Sequence, residues 1–128
     1  MLITGLVFAA LAAAIHVYIF VLESVRWTHP ATRRVFGVGS AEEAETTRAL
    51  AFNQGFYNLF LAIAGLLGVV LVIAGSTTVG ATLVLAATGM MLAASLVLVL
   101  SDGTKLRAAA VQGVLPLLAV IAVSIGIA

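Results

Sequence analysis

Three groups of polar side chains stand inside long apolar stretches of this 128-residue chain, where hydrogen-bonding groups are costly and tend to serve a function. His16, Glu23 and Trp27 follow one another at spacings of seven and four, which places them on one helical face with Phe20 between them. Asn53, Gln54, Tyr57 and Asn58 spread over an arc of roughly 140° at about 100° per residue. Gln112 precedes Gly113 and stands four positions before Pro116. A proline ring pushes away the carbonyl four residues earlier, so this spot offers a side-chain amide and a freed backbone acceptor. These residue types can hold a polar head group. A desolvated histidine or carboxylate can also move a proton, which makes His16 and Glu23 the candidate catalytic residues. The candidate ligand-binding set is Glu23, Trp27, Asn53, Gln54, Tyr57, Asn58 and Gln112.

Other chemistries have no residues to carry them. There is no cysteine, which removes disulfides, thiolate metal sites and cysteine nucleophiles. No HExxH, phosphate loop or nucleophile motif occurs, and His16 and His29 fall on different elements, so neither a metal nor another cofactor is expected. The run Glu42, Glu43, Glu45 suits the first turns of a helix, where acids complement the dipole, better than a metal site. A net charge of +1 without a basic, aromatic-interleaved stripe points away from nucleic acid.

Each candidate also has a plainer role. Asn and Gln within spans serve as interhelical glue, worth about 1 kcal/mol or less each. Glu23 can pair with Arg26 or Arg33 at the membrane edge, and His16 can be a satisfied core histidine. Trp27 and Tyr18 suit an aromatic belt. Pro116 can be a tolerated kink, and Thr88 and Ser95 can bond back to their own helix. What favours a site is the convergence of several helices at one depth.

The elements that must position these residues are membrane helices. The chain is 63% hydrophobic and 9% charged, with mean hydropathy +1.26, far too apolar to cover a water-facing surface. Four stretches, at about 2–25, 48–74, 79–100 and 108–127, reach the roughly 20 apolar residues a crossing needs. None alternates with period two, as barrel strands would. The expected fold is a single domain over residues 1–128, all-α, an integral membrane four-helix bundle. The first stretch reads as a retained span: Ala12–Ala14 looks like a cleavage site, but no Lys or Arg precedes it.

Every cation lies in the connection 26–47, in Arg48 at its edge, or between spans three and four at Lys105 and Arg107. The positive-inside rule then places that side in the cytoplasm and both termini outside, in the inner membrane of a bacterium. At 1.5 Å per residue, His16 lies about 12 Å in, Asn53–Asn58 roughly 8–15 Å and Gln112 about 6 Å from the cytoplasmic ends. The strong hydrogen-bonding groups thus share the cytoplasmic half, and the outer half is apolar. Within the long connection, Pro30 suits a first helical position with Thr28 as cap, and Gly37 suits a helix end. Ser40 and Glu43 form a capping-box pattern that starts the second long helix near Ala41.

These residues resemble a known family. Glu23, Trp27, Pro30 and Val35-Phe36-Gly37, then Asn53-Gln54-Gly55-Phe56-Tyr57-Asn58 with Phe60-Leu61-Ala62, then Val111-Gln112-Gly113 with Pro116, look like the bacterial four-span family catalogued as domain of unknown function 1304. The resemblance covers essentially the whole chain and implies the fold without implying a reaction. A weaker, architectural similarity links the chain to the membrane-associated eicosanoid and glutathione metabolism superfamily, through Arg48-Ala49 and Leu59-Phe60-Leu61-Ala62. Phe52 and Gly55 stand where that superfamily's glutathione-binding Asn and Glu would be, so glutathione binding is not implied.

The functional expectation is a cytoplasm-facing intramembrane polar pocket that binds a small lipophilic or amphipathic molecule. The alternatives are a proton-coupled transporter and a structural subunit of a membrane complex. Besides lipid, the expected partner is a second or third copy of the chain, since Gly65, Gly68, Gly89, Ala93 and Ala94 offer close-packing faces.

Overall fold

In hydrocarbon a backbone must satisfy its own hydrogen bonds, and a run of Leu, Val, Ile and Ala meets that demand as helix. The computed structural model, which describes residues 1–128, has five helices and no strand. α1 covers Leu2–Phe20 and continues through a wider turn at Val21–Val25. α2 is the short helix Pro30–Phe36, α3 covers Ala41–Ile73, α4 Thr77–Ser101 and α5 Leu106–Ile127. The four long segments are each long and apolar enough to cross a membrane. The all-α four-helix bundle expected from the sequence is therefore what the chain forms.

The helix ends follow local chemistry. Ser40 Oγ accepts from the Glu43 N–H at 3.0 Å and starts α3 at Ala41. Glu43 returns the contact one residue further out than a strict capping box, accepting from the Gly39 N–H at 2.9 Å. Pro30 is the first residue of α2, but the cap is His29, whose Nδ1 faces the Ala31 N–H at 3.3 Å, rather than Thr28. The reason is register: the cap is the residue immediately before the first helical position. α2 ends at Gly37, with φ of 70°.

α1 packs on α3 and α5, and α4 packs on the same two, so α1 and α4 occupy one diagonal of the bundle and α3 and α5 the other. Most buried apolar residues are alanine, which lets the helices approach closely. One tight passage is between α3 and α4. A Cβ on Gly68 would come within 2.7 Å of the Gly80 carbonyl oxygen, so only glycine fits there. The continuous apolar core of Leu6, Ala9, Ala81, Val84, Ala119 and Val123 lies toward the end that carries both termini. All six cations lie at the opposite end, on α2, the start of α3 and the two helix junctions. There Lys105 Nζ donates to the Phe36 carbonyl at 3.0 Å and ties the two basic connections together.

Candidate functional site

The polar residues of the first and third helices meet because of one local distortion and one missing side chain. At the end of α1 the Arg26 N–H reaches the carbonyl of Val21, five residues back, at 3.0 Å. This i−5 bond widens the turn, a feature that recurs at functional sites. Ser24 in that turn donates to the Phe52 carbonyl of α3 at 2.8 Å. Gly55 faces it, and a Cβ there would collide with Ser24 and come within 3.1 Å of the Glu23 Cβ. The backbones can therefore come together, and Glu23 lies buried against α3. Asn58, one turn past Gly55, donates from Nδ2 to Glu23 Oε2 at 2.8 Å and shares that nitrogen with the Gln54 carbonyl at 3.1 Å.

A groove of about 490 Å³ opens beside this pair. Glu23, Trp27, Asn53, Gln54 and Tyr57 line it together with Leu50. Trp27 is held at one end: its Nε1 donates to the Ala44 carbonyl at 3.0 Å and to Thr47 Oγ1 at 3.1 Å, and its ring packs on Phe36 at 5.1 Å. Asn53, Gln54 and Tyr57 are exposed on the outer face of α3. They form the rim, and the buried Glu23 forms the floor.

Two candidates stand apart. His16 is buried, two turns further from the basic end, with Nδ1 2.9 Å from the Ala12 carbonyl of its own helix. Gln112 is half-buried on α5, diagonally across the bundle from α3, and no hydrogen bond joins it to Asn53, Gln54 or Asn58. Beside it, Gly113 lets Ser95 of α4 pack close, and α5 runs unbroken through the buried Pro116. Thr88 and Ser95 bond back to the carbonyls of Val84 and Leu92 in their own helix, at 2.7 and 2.8 Å. Ser24 and Thr47 were not singled out in the sequence, and Gly55 was named only for the family resemblances. Gly55 carried a signal: a small residue inside a run of amides marks the place where another backbone can enter.

Three or more His, Asp or Glu side chains positioned to hold a metal ion occur nowhere in the chain. The only carboxylate of the site is Glu23, already paired with an amide. Such a donor set is suited to a hydrogen-bonding organic group.

A family model matches residues 10–124, covering the first-helix acid, the amide run and the Gln112–Pro116 segment in one alignment. The chain belongs to the family described as Protein of unknown function (DUF1304). No curated protein and no solved structure matches it. It is thus a multi-pass membrane protein of that family.

Proposed function

We propose that this protein binds a small amphipathic molecule at the basic end of the bundle, its polar head in the Glu23 groove and its apolar part along α1 and α3. The observation that supports this reading is a buried carboxylate, half-satisfied by Asn58, at the floor of a groove with an amide rim. Asn58 engages Oε2. The Oε1 acceptor remains for a hydroxyl, amide or ammonium donor on the ligand, and Asn53 and Gln54 offer both donors and acceptors around it.

Depth fits an amphipath. α3 has 33 residues, about 50 Å at 1.5 Å per residue, well beyond the roughly 30 Å hydrocarbon thickness. Counting about 20 residues back from Ile73 brings the hydrocarbon boundary to Asn53. A head group in the groove would then sit at the boundary, with its tail in the bilayer. With the basic end inside, the groove faces the cytoplasmic leaflet. A proton-coupled carrier would instead need its carboxylate nearer the bilayer centre, and Glu23 closes the first span.

Trp27, the only tryptophan, lines the groove and provides the readout. A brominated-chain fatty alcohol or fatty amine should quench its fluorescence saturably, and a brominated alkane without a head should not. Glu23→Ala should weaken the saturable component about tenfold, the scale expected when a buried polar group loses its partner. Asn58→Leu should weaken it less. Quenching that ignores both the head group and Glu23→Ala would overturn the proposal.

A further inference from the structure

A second recess lies at the same end, beside α2, and two arginines stand in its lining. It measures about 450 Å³ and is lined by Pro30, Arg33, Arg34, Gly37, Val38 and Gly39. Arg33 lines the recess, and its Nε is buried without a hydrogen-bond partner, a rare condition for a charged donor. The Lys105 ammonium stands over Gly37, where a Cβ would come within 2.8 Å of Nζ. Neither arginine nor Lys105 has an ion-pair partner; the one ion pair of the chain is Arg48–Glu45 at 3.2 Å. Two carboxylates stand nearby, each already engaged: Glu43 Oε2 accepts from the Gly39 N–H, and Asp102, which feels the Lys105 charge, accepts from Thr104.

The level of this recess favours one source of anion. Trp27 bonds to Ala44 and Thr47 and packs at a tilt against Phe36, which fixes α2 beside the first turns of α3. Those residues stand about 9–14 Å along α3 from Asn53, near the height of phospholipid head groups and within the reach of an arginine side chain. We infer that Arg33, Arg34 and Lys105 form a binding site for the phosphate of an anionic phospholipid. A guanidinium pair offers the fork geometry that suits phosphate oxygens, and the ammonium adds a point charge. This site goes beyond the Glu23 groove and shares no residue with it, so either reading can fail without the other.

Native mass spectrometry of the full chain in detergent, with equal amounts of dioleoyl phosphatidylglycerol and dioleoyl phosphatidylcholine, tests it. The expected result is preferential retention of phosphatidylglycerol. Arg34→Gln should cut that preference about fivefold, in line with the usual contribution of one basic residue near an anionic surface. Arg34 is exposed and its side chain makes no hydrogen bond, so the substitution removes no native side-chain contact of that kind and the variant should fold. Arg33→Gln with Arg34→Gln should abolish the preference. Arg107→Gln, a change at an exposed cation outside the recess, should leave it unaltered. Equal retention of the two lipids, an equal loss in Arg107→Gln, or displacement of the lipid by inorganic phosphate at matching concentration would each overturn the assignment.

Discussion

Asp102 is a single side chain on which the geometry of the basic end depends. It follows α4 and accepts from the Thr104 N–H at 2.9 Å and from the Thr104 hydroxyl at 2.6 Å, capping the short turn Gly103–Lys105. That turn aims Lys105 at the Phe36 carbonyl. The Thr104 hydroxyl, then its N–H, and last the Lys105 charge hold the Asp102 carboxyl below its ordinary value of 3.8, against a smaller opposing effect of desolvation. The sign follows from linkage. A carboxyl whose folded value is depressed stabilises the fold fully above its unfolded value and loses that contribution as pH falls through the folded value. Asp102→Ala should therefore lower Tm in detergent at pH 7, and the gap from the parent should shrink as pH is taken from 4 toward 2. A gap unchanged across that range would show that the carboxylate's charge is irrelevant to the cap. At this scale much was legible in the sequence: Glu23, Trp27, Asn53, Gln54 and Tyr57 line one groove, and Asn58 bonds Glu23. Ser24 was not, because a serine near a span end looks the same whether it bonds its own helix or a neighbour's carbonyl.

Among the elements, the wide turn at Val21–Val25 and Gly55 act as a pair. The turn offers Ser24 and Glu23 to α3, and the glycine leaves room for them. Gly55→Ala should push the helices apart by forcing Ser24 to move, at about 1–3 kcal/mol for overpacking. It should also break the Ser24–Phe52 and Glu23–Asn58 bonds together. Gly89→Ala is the matched control, since a Cβ there meets open space. It should be neutral or stabilising by up to about 1 kcal/mol from helix propensity. Thermal unfolding of both variants in one detergent checks this, and a Gly55→Ala protein as stable as Gly89→Ala would rule out the close approach. Capping chemistry is local, which is why Ser40 and Glu43 announce the start of α3 at Ala41 and Gly37 the end of α2. The wide turn is not local. Its i−5 bond gains only from what α3 presents to it, so no pattern within residues 21–25 marks it.

At the scale of the whole molecule, the order of helices around the bundle was the least legible feature. The spans carry few polar residues, so periodicity could place those residues on a face of their own helix but could not say which helices neighbour each other, and Gln112 lies diagonally across from the amides of α3. Gly65 and Gly68, readable as faces for another copy, are buried within the chain against Ala87 and the Gly80–Val84 segment of α4; Ala93 and Ala94 remain exposed. Charge, by contrast, is distributed by the connections alone. The fold gathers all six Lys and Arg at one end and leaves none at the end with the termini. Acidic residues count little in the insertion bias, so the six-to-none asymmetry predicts that the basic end faces inward even though Glu42, Glu43 and Glu45 share it. The absence of cysteine makes the test clean. With Thr77→Cys at the start of α4 and Thr46→Cys near the start of α3, both exposed, a membrane-impermeant maleimide should label the first in intact bacterial cells expressing the chain and the second only after permeabilisation. The reverse pattern would put the Glu23 groove and the basic recess on the outer leaflet. The amphipath would then reach its site from outside, and the phospholipid phosphate from the outer leaflet.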